Sequence, residues 1–488
     1  MTSGERRTAA AWLLAALAAG ATLFSAGLPP ALAAILLGIT FLFTPGALAA
    51  RALLKDGDAL PREAVVLAWS PFFSGGTIAA LAALGLPFPI AVRTTVVAIA
   101  LLAARCAARR SMRCVPGAPR ADLAVAMSWS AVVATLLVGV SALPLRSDGW
   151  FHAAVTLQIA HRGIVPEDPY FAGLRLLYFW GEHAWAAAWL VLAPRLSATT
   201  PLVACNLGAA FAVALAMAAL ARRLGGNVRD ARLAVILMVA GYAPFAWIQF
   251  AGRAMVGTVR GWPEVVRLAS VGPDAALDLM GRGLLHASLA FFGDKYLVVT
   301  PFALGLALLV LVVLALLDVA DRPSVRRHVV LAVTLAATLF VHSVVGYCAL
   351  LLVCVWWGSC ALEAVRGDPA ARARLVPLAL SATLAMALVS PYLFVITAGK
   401  VGLVRYGITP AAMRSALFGG AALAPAALLW LGARARSMPV ARILLLGACA
   451  LLVVGLVVRL PENNQSKFFN VLWLMLAAPA ALAWRRFA

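Results

Sequence analysis

HAWAAAWLVLA, residues 183–193, is apolar throughout but only eleven residues long. Its reading decides how the chain is threaded. If it crossed a bilayer, every later segment would reverse, and Arg222, Arg223, Arg229 and Arg232 would change sides. Eleven helical residues cover only ~16 Å, against a hydrocarbon core of ~30 Å. The segment therefore reads as a helix lying in, or dipping into, the outer interface, a level that suits Trp180, Trp185 and Trp189.

Around it the chain is overwhelmingly apolar. Of 488 residues, 64% are hydrophobic and 12% charged, with a mean hydropathy of +0.96. Soluble domains carry about 25% charged residues, and one water-soluble core could not hide this much apolar surface. The pattern predicts an all-α polytopic membrane protein with about 14 transmembrane helices. They fall at roughly 9–26, 30–50, 63–84, 88–104, 123–143, 201–220, 232–250, 297–317, 328–341, 346–363, 376–397, 413–432, 443–458 and 468–484. The first reads as an uncleaved helix rather than a signal peptide, because Glu5 interrupts the basic leader and a second span follows from Pro30. Residues 1–122 read as accessory N-terminal helices, and 123–488 as the working module. Its large outer loops fall at about 144–200 and 251–296, the first bearing interfacial helices.

The net charge of +21 could suggest nucleic acid, but the Lys and Arg residues sit in short clusters between apolar runs. That is the positive-inside pattern, and no nucleic-acid partner is expected. Of the 40 basic residues, 25 fall on one side of the threading and 14 on the other, with Arg93 within a span. The larger group marks the cytoplasm and puts both termini there. Ala- and Arg-rich usage points to a GC-rich bacterial genome, hence an inner (plasma) membrane with the other face periplasmic or extracellular. The seven cysteines show no metal-knuckle spacing.

The reactive side chains gather on the outer face. Five of six histidines map there or to its edge, among them His152, His183 and His342. A carboxylate at the lip of a membrane helix is a candidate base, and Asp148 has that place. In GIVPEDPYFAG, residues 163–173, Glu167 and Asp168 present adjacent carboxylates on a turn, an oxygen-only pair suited to Mg²⁺ or Mn²⁺. Lys295 precedes a span at headgroup depth. In RLPENNQSKFFNVLWLM, residues 459–475, Arg459 and Lys467 can donate to a phosphate, while Asn463, Asn464 and Gln465 can bond sugar hydroxyls.

The stretch from Asp148 through GIVPEDPYFAG to LLYFWGEH (176–183), with ENNQSKFF (462–469), resembles the GT-C superfamily of polyprenyl-phosphate-sugar-dependent glycosyltransferases, over roughly residues 123–488. The resemblance implies a GT-C-like helical fold, a lipid-linked sugar donor, and a glycan, lipid or protein acceptor. It implies that Asp148 acts as base or orients the acceptor, and that Asp168 or Glu167 assists or binds a divalent ion. The donor phosphate would be held by Lys467, Arg459 and Lys295, and His152, His183, His342, Glu462 and Asn464 would line the substrate cavity. Where the family often has an acidic pair after the first span, Ser147 and Gly149 flank Asp148. Two other readings stand beside this one: a transporter or lipid flippase, which would place polar groups along a transmembrane path, and a catalytically silent GT-C-like scaffold.

Overall fold

The computed structural model describes residues 3–108, 117–139, 143–145, 148–241, 295–397, 404–421, 423–460 and 464–487. These residues are almost entirely helical. Ten helices are long and apolar enough to cross a membrane. Pro30–Leu53 comprises α2 (Pro30–Leu37), a π-helical segment (Gly38–Phe43) and α3 (Thr44–Leu53). The other nine are α4 (Arg62–Ala83), α5 (Phe88–Ala108), α6 (Arg120–Gly139), α9 (Thr199–Arg223), α11 (Pro301–Asp321), α13 (Ser343–Val365), α14 (Pro369–Thr397), α17 (Pro439–Val457) and α18 (Ser466–Phe487).

Four of the expected spans are not among these ten, and one of them, 232–250, lies outside the described residues from 242 on. Helix α1 (Ser3–Thr22) is apolar only from Thr8. Helix α10 (Val228–Ala240) has 13 residues and α12 (Val325–Val341) has 17. The expected span 413–432 is split into α15 (Pro410–Phe418) and α16 (Ala424–Arg434). A Cβ on Gly420 would lie 2.3 Å from the Trp473 ring, so the break is where backbone and indole meet. Most of the outer loop at 251–296 lies outside the described residues.

Helix α11 is apolar on every face as far as Leu317 and buried from Pro301 to Ala320, as a helix at the centre of a bundle must be. It packs against α9, α12 and α13. The expected boundary at 122/123 leaves no gap in this packing. One core runs from Ala19 to Ala483, α4 lies against α9, and Asp122 takes two bonds from Arg222, at 2.6 and 2.7 Å.

Residues 183–193 do form a short helix, α8 (Gly181–Leu192). Its surroundings differ from the expectation. Trp180, Trp185 and Trp189 are 3%, 0% and 1% exposed, so they pack inside the protein rather than against lipid headgroups. The π segment explains why. Its register shift, followed by Pro45, disturbs the helical hydrogen-bond ladder. The Trp185 indole N–H donates to the carbonyl of Phe41 at 3.0 Å. On α4, a Cβ on Gly75 would meet the Trp185 Cβ at 2.9 Å. Short non-spanning segments are tolerated at membrane depth when buried in protein in this way.

The charged groups segregate to two ends of the bundle. At one, which we call the basic end, Asp58 accepts from Arg326 and Arg327. Asp321 accepts from Arg223, Glu363 from Arg442 and Asp230 from Arg485. All these residues lie in loops or helix ends that the charge count placed on one side. The opposite end holds two small antiparallel hairpins, β1 (Glu167–Asp168) with β2 (Phe171–Arg175), and β3 (Arg405–Tyr406) with β4 (Val458–Arg459). It also holds most of the histidines, and we call it the histidine end.

Candidate functional site

Four segments distant in sequence supply the site. The first begins at Asp148, the exposed N-cap of α7 (Gly149–Arg162), whose side chain makes no capping bond. Gly149 permits a close approach: a Cβ there would lie 2.1 Å from the Pro144 carbonyl, which also accepts the Val299 N–H. Helix α7 buries His152, Val155, Thr156 and Ile159, at spacings of three and four, and exposes Trp150 and Leu157. His152 therefore faces inward, one turn beyond Asp148. Gly163 ends the helix at φ 94°, ψ −169°, a region open in practice only to glycine.

The second segment is the first turn of α8. Gly181 lets it approach α12, because a Cβ there would lie 2.6 Å from the Phe340 carbonyl. The Gly181 N–H also donates to the Tyr392 hydroxyl at 3.1 Å. These contacts fix His183, whose Nε2 lies 2.8 Å from His152 Nδ1. The two rings stack with centroids 5.0 Å apart. One nitrogen donates and the other accepts, so the pair shares a proton. His183 Nδ1 has no hydrogen-bond partner among the described residues.

The third segment is His342, the N-cap of α13. Its Nδ1 accepts the Val345 N–H at 3.3 Å. In the neutral ring the proton is therefore on Nε2, which has no partner among the described residues and remains a donor. The fourth is the start of α18. There the Lys467 ammonium lies 5.8 Å from the Phe179 ring centre and 5.7 Å from that of Phe302. The same two rings flank His342, at 4.2 and 5.2 Å. Lys467 and His342 thus share one aromatic enclosure, and the cation is held partly by ring quadrupoles.

Burial sets the protonation of the imidazoles. It pushes His183 down to about 3. Burial, then the charges of His183 and Lys467, holds His152 well below the usual histidine range. Burial, then Lys467, does the same to His342. At neutral pH the cluster is therefore three neutral bases beside one ammonium group. Glu182, next to His183 and 1% exposed, is pushed up to about 7 by burial, against a weak bond from the Cys205 thiol. Neither carboxyl oxygen has a nitrogen or oxygen partner among the described residues.

The other expected residues are placed differently. Glu167 accepts Arg162 at 2.9 Å and the Gly173 N–H at 3.3 Å, while Asp168 accepts the Tyr170 N–H at 2.8 Å. Each carboxylate serves its own turn. Among the described residues no group of three His, Cys, Asp or Glu side chains is set to hold a metal ion. The bonds to Glu167 and Asp168 occupy Oε2 of Glu167 and Oδ1 of Asp168, one oxygen of each carboxylate. Arg459 donates to the carbonyls of Gly407 and Ile408, at 3.0 and 3.2 Å, and so fastens β3 to β4. Lys295 lies half-buried in a short turn before α11, and Asn464 caps the backbone N–H of Lys467 with its carbonyl at 3.1 Å. Glu462 lies outside the described residues. Glu182 falls within the LLYFWGEH stretch (176–183), where nothing in the sequence singles it out, and the aromatic enclosure of Phe179 and Phe302 has no sequence signal either, since these residues are joined only by tertiary packing.

No protein-family model matches this chain, and no curated protein matches it.

Proposed function

We propose that the chain is a membrane glycosyltransferase of the GT-C type, moving a sugar from a polyprenyl-phosphate donor to a hydroxyl of a glycan, lipid or protein acceptor at the histidine end. The observation that carries this reading is the convergence there of Asp148, His152, His183, His342 and Lys467 from four segments, with the imidazoles neutral and a cation among aromatic rings. In the threading that goes with it, fourteen segments cross a bacterial plasma membrane, both termini are cytoplasmic, and the histidine end is periplasmic or extracellular. The paired arginines at the opposite end accord with that orientation.

The chemistry follows from the groups present. The acceptor oxygen forms a bond to the anomeric carbon as the bond to the lipid phosphate breaks. Asp148, exposed at the rim, takes or orients the acceptor proton, and the His152–His183 pair one turn away can pass it inward. The leaving phosphate keeps the bonding electron pair. Lys467 and the free Nε2–H of His342 are the donors suited to it. Trp150 and Tyr170 are 66% and 70% exposed, and Tyr170 stacks on Phe151, three residues from Asp148, a surface suited to a sugar ring or to the lipid interface. The test is purified protein in proteoliposomes with a polyprenyl-phosphate sugar, with release of polyprenyl phosphate as readout. Asp148→Asn, His152→Ala and Lys467→Gln are each expected to lower turnover at least 100-fold with intact folding. Wild-type rates in Asp148→Asn and Lys467→Gln together would overturn the reading.

One observation favours a second reading, a proton-coupled transporter or flippase. Glu182 is a buried acid with no strong partner, and such groups mark proton paths in membrane proteins. Proton uptake by proteoliposomes that tracks substrate movement, with no bond cleavage, would decide for it.

A further inference from the structure

A groove of about 680 Å³ lies between α3, α4 and α5, away from the histidine end. Its wall is apolar along most of its length, with Leu48, Phe73, Ala98 and Leu102 contributing. The hydroxyls in it are already satisfied: Ser74 donates to the Ser70 carbonyl, Thr77 to Phe73 and Thr95 to Ala91, at 2.6, 2.6 and 2.8 Å. The wall thus offers a phosphate no hydroxyl donor until its end, where Arg51 and Arg105 stand. That end is the basic end, since the Leu53 carbonyl two residues beyond Arg51 accepts Arg326.

The two arginines differ from their neighbours. Arg222, Arg223, Arg326, Arg327 and Arg485 all pair with acids. Among the described residues, neither the Arg51 nor the Arg105 guanidinium has a hydrogen-bond or ion-pair partner, and Arg51 only lies over the Trp12 ring at 5.8 Å. Depth identifies the occupant. From Arg105 back to Thr95 is ten helical residues, about 15 Å, which is half of a ~30 Å hydrocarbon core. The groove is one leaflet deep, apolar below and doubly cationic at headgroup level.

We propose that this groove binds an anionic phospholipid, its phosphate between Arg51 and Arg105 and an acyl chain along α5. Basic pockets between membrane helices favour such headgroups, each basic residue near the surface adding about a fivefold preference. The site lies on the helices that the proposed catalytic reading does not use, so it stands or falls independently of that reading.

The test is native mass spectrometry of the full-length protein released from detergent micelles containing phosphatidylglycerol or phosphatidylcholine. Wild type is expected to retain one phosphatidylglycerol and no phosphatidylcholine at matched concentration. Arg51→Gln with Arg105→Gln is expected to weaken that retention about 30-fold. Ala98→Trp, which fills the exposed apolar part of the groove and leaves both arginines, is expected to abolish it. Equal retention of the two lipids, or unchanged phosphatidylglycerol binding in both variants, would overturn the proposal. So would displacement of the lipid by millimolar inorganic phosphate, which would show a phosphate site with no tail recognition. If the double arginine variant fails to fold, Ala98→Trp carries the test alone, judged by size-exclusion behaviour like wild type.

Discussion

Replacing Glu182 with Gln should stabilise the protein, and by an amount that depends on pH. The carboxyl is 1% exposed and is raised from 4.5 to about 7 in the fold. Between those values the native state binds more protons than the unfolded chain, so this group's contribution falls as pH rises. It is fully present below 4.5 and lost as pH passes through 7. That rise corresponds to about 3 kcal/mol, at ~1.4 kcal/mol for each tenfold change in proton affinity. Gln has the shape of the protonated acid and does not titrate. Glu182→Gln should therefore match wild type near pH 4.5 and exceed it by up to about 3 kcal/mol above pH 7. For a chain of this length the unfolding entropy is about 1 kcal/mol/K, so the gain in Tm is about 3 °C. The buried histidines slope the other way: their depressed values make native stability rise with pH towards 6.5. The readout is consequently the difference between variant and wild type, not either curve alone. Thermal unfolding in detergent from pH 5 to 8.5 supplies it. A difference that stays constant across that range, or shrinks as pH rises, would refute the reasoning.

Other outcomes follow from single contacts. Arg326→Gln leaves Asp58, whose side chain is 4% exposed, with Arg327 at 3.3 Å as its one paired cation. The expected loss is about 3 kcal/mol, the low end for breaking a buried pair, and Asp58→Asn in the same chain should restore part of it in thermal melts. Burial alone would raise Asp58, but bonds from Arg326 and the Lys55 N–H, with the charges of Arg326 and Arg327, hold it below 3.8. Its stabilisation is thus present above that value and lost as pH falls through the lower folded one, so the acid limb of a pH–Tm curve should flatten in Asp58→Asn. Gly181→Ala pushes a methyl to 2.6 Å from the Phe340 carbonyl, costing about 1–3 kcal/mol by overpacking. It moves His183 away from His152, and transfer should fall about 100-fold for a shift near 1 Å. An unchanged rate with an unchanged melt would show that α8 has room to spare.

How much of this was legible in the sequence depends on how local the cause is. The helical membrane architecture follows from composition, and the shortness of α8 from counting residues in HAWAAAWLVLA. The two-ended segregation of charge was also legible, because each loop's side follows from parity once α8 does not cross. The environment of Trp185 was not, since an indole suits the headgroup region and a buried carbonyl equally. The carbonyl that claims it, Phe41, is 144 residues away in a π-helical segment that no hydropathy pattern marks. Glu167 and Asp168 are neighbours in sequence, and what adjacency did not reveal is that they serve different partners, Arg162 for one and the Tyr170 N–H for the other. His152 and His183 are the converse case, 31 residues apart and joined by one bond. Each was named as cavity-lining, but nothing in the sequence states that they touch.

The contrast between two buried acids bears on which reading of the histidine end is right. Asp318, 2% exposed, accepts the Ala59 N–H at 2.7 Å and has Arg223 and Arg322 within 4 Å, at 3.8 and 3.9 Å. Its burial is compensated in part: Oδ2 has a backbone N–H, while Oδ1 has no hydrogen bond among the described residues and only the two guanidinium groups nearby. Glu182 is as deeply buried and has a thiol. An acid left in that state lowers stability at neutral pH, and the fold retains it beside a proton-sharing histidine pair. If Glu182 only shapes the pocket as a neutral acid, Glu182→Gln is stabilised and keeps its transfer rate within a few fold, the outcome expected for the glycosyltransferase. If it must gain and lose its proton in each cycle, the same variant is equally stabilised but inactive, as proton-coupled movement requires. Measuring Tm and turnover on one preparation separates the two, because the stability gain shows that the variant folds and the rate alone then reports the role of the proton.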